Sequence, residues 1–208
     1  MKKQLLAATI AATISMPSMA DFLGVYAGLD YRSNETSFSD VDGDESGSNV
    51  AGYVAFEHFI PLIPNAKLKY ADLSNSDIDN DSSVMNGILY YQLFDNGLFE
   101  FDFGLAYTAI ESNIGTESES ASLGQAYLAG KAHIPGTGVH AFAEAIGGSL
   151  TDDDALDAEV GLQYTINPES LLVNVGLRAG YRLQELEFKN QTSKQTNEGW
   201  FAGVEVHF

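Results

Sequence analysis

The sequence has 208 residues, no cysteine, and a formal net charge of -19 at pH 7. A protein that binds the phosphates of nucleic acid needs a basic surface, so this composition argues against a nucleic-acid partner. No stretch of the chain reaches the roughly 20 consecutive apolar residues that a membrane-spanning helix needs, and an exported chain without cysteine has no disulfide bonds to stabilise it.

The first 20 residues have the organisation of a secretory signal peptide. Two lysines precede an apolar segment at residues 5–14, and the small-residue sequence Ser18-Met19-Ala20 follows. This pattern predicts cleavage between Ala20 and Asp21. The mature chain, residues 21–208, then carries 8 basic and 29 acidic side chains, a formal charge of -21.

Apolar residues alternate with polar or small residues along most of the mature chain. In the clearest segment, residues 98–108, phenylalanines at 99, 101 and 103 alternate with Glu100 and Asp102. Because successive side chains of a strand point to opposite faces, one face is apolar and the other carries carboxylates and small residues. The same pattern predicts ten strands, at residues 22–31, 50–59, 66–73, 84–93, 98–108, 123–133, 139–149, 157–164, 171–183 and 199–208.

Two kinds of connection alternate between these strands. Four are short and rich in turn-forming residues: residues 60–65, 95–97, 135–138 and 167–169. Five are polar and mostly longer: residues 33–49, 74–83, 111–122, 151–155 and 184–197. Short turns at one end and longer loops at the other are typical of transmembrane β-barrels, whose short turns face the periplasm.

The sequence therefore predicts an all-β fold, a transmembrane antiparallel up-and-down β-barrel of about ten strands, with eight as the alternative and both termini in the periplasm. Each strand has about the 9 to 11 residues that a tilted strand needs to cross a bilayer. A soluble barrel with its apolar face inside is the competing interpretation, because alternation does not show which face is inside. Aromatic residues near strand ends, small residues on the polar face and the C-terminal Phe208 favour the membrane barrel.

The last ten residues, 199–208, resemble the C-terminal signature of bacterial outer-membrane proteins, an alternating strand that ends in phenylalanine. The resemblance implies an outer-membrane location. It also implies an assembly signal that the barrel-assembly machinery recognises during insertion. This signal is formed by Trp200, Val204, Val206 and Phe208.

A second resemblance is narrower. Residues 57–68, EHFIPLIPNAKL, resemble the characteristic segment of a family of small proteobacterial outer-membrane proteins of unassigned function. The pair Gly147-Gly148 is consistent with the glycine pair of that family. This resemblance implies a fold and a location, and it gives no catalytic residue to carry over.

Charged residues of both signs fall on the predicted inner face. They are Asp30, Arg32, Glu57, Lys67, Lys69, Glu100, Asp102, Lys131, Glu144, Asp157, Glu159, Arg178, Arg182 and Glu205. In barrels of eight to ten strands side chains nearly fill the lumen, whereas open pores have 16 strands or more. We therefore predict a lumen filled by a network of ion pairs, with a narrow selective channel as the alternative.

Candidate catalytic and metal-binding residues are few. The sites of enzymatic barrels such as the omptin proteases lie at the external rim, whereas all four histidines, His58, His133, His140 and His207, lie beside a predicted periplasmic turn or the C-terminus. We predict no catalysis and no cofactor. Two acidic segments, residues 40–45 and 77–81, are interpreted as solvated loops rather than metal sites, because the second lacks the glycine and glutamate that a Ca²⁺ loop needs at its sixth and twelfth positions.

Three functions remain open for such a barrel. The first is a structural or surface-interaction role in the outer membrane, in which the loops contact lipid and lipopolysaccharide. In one form of this role, divalent ions bridge the acidic loops to the phosphates of lipopolysaccharide. The second is transport of small solutes or ions through the lumen. The third is a lipid-active enzyme, which the positions of the histidines disfavour.

Overall fold

The computed structural model describes residues 23–39, 41–60, 62–75, 80–114, 117–149, 153–168, 170, 172–187 and 194–208. The predicted signal peptide with its cleavage site at Ala20 and Asp21 lies outside these residues, as do Asp40 and residues 77–79 of the acidic segments. Within the described ranges, no helix has the length and apolar character needed to cross a membrane.

The described residues form ten antiparallel strands that close into one barrel. Each strand pairs with its neighbours in sequence, and the first pairs with the last. The strands are β1 (Leu23–Phe38), β2 (Val41–His58), β3 (Asn65–Asp72), β4 (Asn80–Asp95), β5 (Phe99–Ile114), β6 (Glu117–Ile134), β7 (Val139–Gly147), β8 (Asp154–Thr165), β9 (Asn174–Glu187) and β10 (Lys194–His207). The prediction of an up-and-down barrel with ten strands, rather than eight, is confirmed.

The two ends of the chain close the barrel. The amide of Val25 donates to the carbonyl oxygen of Phe208 over 3.2 Å, and the amide of Phe208 donates to the carbonyl oxygen of Val25 over 2.9 Å. Farther along the same seam, Leu29 lies opposite Val204. Closure leaves no sheet edge with unpaired backbone groups, which is the condition for a sheet to survive in an apolar environment.

The barrel has two distinct ends. The first and last described residues, Leu23 and Phe208, lie at the turn end, together with the connections from β2 to β3, β4 to β5, β6 to β7 and β8 to β9. Gly97, Gly136 and Gly138 have φ angles of 74°, 75° and 67°, which tight turns require and glycine adopts at no steric cost. The opposite end, here the loop end, holds the other five connections. A periplasmic location for the turn end stays a prediction.

The strands extend farther toward the loop end than the sequence predicted. β1 and β2 are separated by two residues, where a loop over residues 33–49 was predicted, and β5 and β6 are also separated by two. The predicted loops at 74–83 and 184–197 are shortened in the same way, whereas the connection between β7 and β8, residues 148–153, is one residue longer than the predicted loop at 151–155. The prediction was wrong because it ended each strand where the apolar residues end, although polar residues pair in the backbone ladder equally well.

The outer surface between the two ends is apolar. The exposed large side chains there include Leu29, Val54, Leu68, Leu89, Leu105, Leu128, Val160, Leu162, Leu177, Trp200 and Val204. Leu105 is 72% exposed although it lies in the middle of β5. Polar and charged side chains fill much of the interior, so the barrel inverts the arrangement of a soluble protein.

Candidate functional site: the barrel interior

Charged residues from opposite walls meet in the middle of the lumen. We call this group the central charge cluster; it comprises Asp30, Lys67, Lys69, Glu144, Asp157, Glu159, Arg178 and Arg182. Alternation along each strand places these side chains on the inner face, and all eight are largely removed from solvent. A buried charge is costly unless it is paired and hydrogen-bonded, so the contacts inside this cluster decide whether the barrel is stable.

Two lysines of β3 pair with carboxylates across the lumen. The ammonium groups of Lys67 and Lys69 each contact one carboxylate oxygen of Glu144 on β7. Lys69 also lies 3.5 Å from Glu159 and 3.8 Å from Asp157, both on β8. Since β3 and β8 are five strands apart in a barrel of ten, these ion pairs connect opposite walls.

Arg178 of β9 is the most connected residue of the cluster. Its guanidinium donates to Glu159 over 2.8 Å and lies 3.3 Å from Asp30 on β1. It also donates to the Tyr53 hydroxyl on β2 over 2.6 Å. The guanidinium carbon lies 4.6 Å from the ring centroid of Phe142 on β7, a cation–π geometry. One side chain thus joins β9 to four other strands.

Arg182, four residues beyond Arg178 on β9, makes a two-point contact with Asp157. Its Nε donates to Oδ1 over 2.5 Å, and its terminal nitrogen donates to Oδ2. This parallel arrangement is the strongest common geometry for an arginine–carboxylate pair. Arg32 is buried nearby but makes no ion pair with a described residue, and it lines a small pocket with Arg182 and Asn197.

Glycine makes room for these large inner side chains. A Cβ atom on Gly28 would lie 2.2 Å from the ring of Tyr53, and one on Gly203 would lie 2.1 Å from Oδ1 of Asp30. The glycines on the polar face therefore have a packing role in the lumen, because a larger residue at either position would displace a member of the network.

An apolar layer crosses the lumen between the central charge cluster and the loop end. It consists of Ala51, Ala71, Leu73, Val84, Ile110, Leu123, Ala155 and Leu186, all buried and in mutual contact. These residues come from β2 to β6, β8 and β9 or the positions next to them, so the layer spans the lumen from wall to wall.

Neutral polar side chains surround the apolar layer. Toward the loop end, Thr36 donates to Asn197 over 2.9 Å and Ser82 donates to Ser112 over 3.0 Å. On the other side of the layer, Thr108 lies 2.6 Å from an oxygen of Gln125. Side-chain hydrogen bonds therefore join neighbouring strands beyond the charged region as well.

The turn end differs, because a cavity of about 370 Å³ opens there among the turns. It continues inward to a narrower space of about 70 Å³, and Tyr26, Lys131 and Glu205 line both parts. We call the two parts together the turn-end cavity. The central charge cluster contributes Glu144, Glu159 and Arg178 to the inner wall of the cavity.

The carboxylates of this cavity have different partners. Glu100 lies 2.9 Å from the ammonium of Lys131 and 2.6 Å from the ring nitrogen of His133. Glu57 accepts from the Tyr90 hydroxyl over 2.7 Å. Glu205 accepts from Gln163 over 2.7 Å and from the hydroxyl of Tyr53.

The structure places the predicted lumen residues in three groups. Eight form the central charge cluster, Arg32 stands beside it, and the remaining five line the turn-end cavity: Glu57, Glu100, Asp102, Lys131 and Glu205. Of the predicted assembly signal, Trp200, Val204 and Phe208 are exposed on the outer face and Val206 is half-buried. No group of three histidine or acidic side chains among the described residues is arranged to hold a metal ion.

Sequence reasoning missed the apolar layer and the tyrosines that connect the charges. Leu186 is an even number of residues from Arg178 and Arg182, so it lies on the same face of the strand. Had the predicted strand extended beyond residue 183, Leu186 would have been predicted to face the lumen. Val84 and Leu123 lie at the ends of predicted strands, but Gly and Ala around them dilute the alternation that fixes the inner face.

No protein-family model matches the chain, and no curated protein matches it. The similarity of residues 57–68 to one narrow family therefore stays a prediction. Among solved structures, Neisserial surface protein A shares 17% identity over 88% of this chain and 97% of its own, with a TM-score of 0.41.

Two further solved structures are similar over most of their length. The attachment invasion locus protein Ail of Yersinia pestis shares 12% identity over 89% of this chain and 98% of its own, with a TM-score of 0.37. The transport unit of the autotransporter AIDA-I from Escherichia coli shares 8% identity over 97% of this chain and 96% of its own, with a TM-score of 0.46.

Proposed function

We propose that this chain is an integral outer-membrane β-barrel with a closed lumen, and that its role is structural or in surface interaction rather than catalysis. The observation that carries the proposal is the combination of an apolar outer face with a lumen crossed by ion pairs. Large apolar side chains such as Leu105 and Trp200 are exposed on every side of a closed sheet, which is stable when lipid rather than water covers them.

The closed lumen distinguishes this role from transport. The Lys69 ion pairs connect opposite walls, and the apolar layer around Leu123 and Leu186 lies between them and the loop end. An ion that followed the lumen would have to separate buried charge pairs and then lose its hydration among apolar side chains, both of which are costly. The loops and outer face, in contact with lipid and lipopolysaccharide, are then the parts available for interaction.

A narrow channel is the second candidate function, because the turn-end cavity brings solvent halfway into the lumen. Passage through the rest of the barrel would require the apolar layer to open. The two functions differ in a measurable quantity, the ionic conductance of the folded protein in a lipid bilayer.

Two measurements test the proposal. Purified protein folded in lipid should migrate differently on a gel before and after heating, and cell fractionation should recover it with the outer membrane. In planar bilayers the folded protein should give no stable conducting openings, and Arg178→Ala should give none either, because the apolar layer is unchanged in that variant. Stable openings of the unmodified protein would support the channel instead, and recovery in the soluble fraction would overturn the membrane assignment.

A further inference from the structure

The turn-end cavity contains carboxylates that no cation of the described chain neutralises. Its lining includes six carboxylates, from Glu57, Glu100, Asp102, Glu144, Glu159 and Glu205, and three permanent cations, from Lys67, Lys131 and Arg178. Within the described residues, Glu100, Glu144 and Glu159 take part in ion pairs, whereas Glu57, Asp102 and Glu205 take part in none. These three carboxylates are therefore the ones available to a cationic ligand.

Asp102 is the decisive residue of this group. It is only 7% exposed, and it lines the inner part of the cavity. Its Oδ1 atom accepts no hydrogen bond from any described residue, although the atom is buried. Burying a carboxylate without a partner costs desolvation free energy. A cationic hydrogen-bond donor that entered the cavity would offset that cost, because no described residue does.

The walls around Asp102 suit an alkyl chain rather than a bare metal ion. Ala55, Ala129, Ala143 and the ring of Phe142 line the same inner space. Nowhere among the described residues do three acidic or histidine side chains converge as metal ligands would. Apolar walls with a few separated polar groups are typical of sites for small organic molecules. These walls line the inner part of the cavity, about 70 Å³, and the outer part, about 370 Å³, leads to it from the turn end.

We propose that the turn-end cavity binds an aliphatic polyamine, with one ammonium group donating to Asp102 and the others directed to Glu57 and Glu205. The methylene segments between the charges then contact the alanine and Phe142 surfaces. The ligand enters from the turn end, since the central charge cluster closes the cavity on the other side. The proposal requires the folded barrel and does not depend on whether the lumen conducts.

Calorimetric titration of spermidine into the full-length protein, folded in a non-ionic detergent, tests this site. We expect saturable binding with one ligand per chain. Asp102→Asn removes the unpaired charge and keeps the shape, so it should weaken binding at least about tenfold, which corresponds to about 1.4 kcal/mol. The matched control is Glu111→Gln, which removes a carboxylate from the exposed outer face of the same strand and should bind as the unmodified protein does.

Several results would overturn the proposal. The first is the absence of saturable binding, and the second is an unchanged affinity for spermidine in the Asp102→Asn protein. The third is displacement of spermidine by Mg²⁺ at the same ionic strength, because that result would indicate general attraction of cations to an acidic protein. Heat-modifiable migration of each variant shows that it is folded, so that lost binding is not lost structure. A barrel that folds and fails to bind spermidine contradicts the site while leaving the membrane assignment intact.

Discussion

The Arg178 guanidinium and the Tyr53 hydroxyl lie 2.6 Å apart, and this contact joins the central charge cluster to the turn-end cavity. Tyr53 in turn donates to Glu205, which also accepts from Gln163 over 2.7 Å. The same chain of hydrogen bonds therefore passes from a buried ion-pair network to the wall of the turn-end cavity. A change in Arg178 should consequently affect both the stability of the barrel and the shape of the cavity.

Replacing Arg178 with methionine should destabilise the folded barrel by about 3–5 kcal/mol, because Glu159 and Asp30 would keep buried charges without their main partner. Urea unfolding in lipid vesicles measures this loss. The fluorescence of Trp200, the single tryptophan of the chain, reports the transition from the outer face.

Arg178→Lys is the control for charge, since it keeps the cation but loses the planar group that serves several partners at once. Its loss of stability should be smaller than that of Arg178→Met. Unchanged unfolding of the methionine variant would show that the network around Arg178 does not hold the barrel closed.

The outer face gives a prediction that separates a membrane barrel from a soluble one. Leu105→Arg places a charge on the lipid-facing side of β5 and should destabilise the barrel in vesicles by about 2–4 kcal/mol. Leu172→Arg is the matched control, because Leu172 is exposed in a turn-end connection and should tolerate the charge with almost no loss. Equal stability of the two variants in vesicles would argue that water, not lipid, covers Leu105.

Phe208 is predicted to act in assembly rather than in stability. Phe208→Ala keeps the backbone hydrogen bonds to Val25 and removes only an exposed ring, so refolding of the purified chain in detergent should be unchanged. In cells the amount of folded protein in the outer membrane should fall several-fold. The control is Phe99→Ala, which removes an exposed ring from the turn end of β5. A similar decrease for both variants would contradict a specific signal at Phe208.

The barrel was predictable from the sequence because alternation is strongest where one face meets an apolar environment. Residues 99–108 alternate without interruption, and the structure places them in β5 with the apolar set outside. The turns were predictable for a different reason, since Gly97 and Gly136 mark positions where φ must be positive. Both features depend only on residues that are close together in the chain, so a single sequence is enough to detect them.

The interior was less predictable because its contacts join residues that are far apart in the chain. Lys69 and Glu144 are 75 positions apart, and nothing near either residue indicates the other as its partner. The apolar layer was missed for a related reason: Leu186 lies in residues 184–197, which were interpreted as a polar loop. Its inward direction follows only from the true length of β9.

The apolar layer supplies a last prediction, based on two leucines of β6 that face opposite ways. Leu123 is fully buried inside the lumen, whereas Leu128 is exposed on the outer face. Leu123→Ala leaves a cavity that its neighbours cannot fill, so it should cost about 2–5 kcal/mol in vesicle unfolding experiments. Leu128→Ala removes the same atoms where mobile lipid can fill the space, so the cavity contribution is absent and its cost should be distinctly smaller. If the two substitutions cost the same, the region around Leu123 is open to solvent or lipid, and the closed lumen proposed for this barrel is wrong.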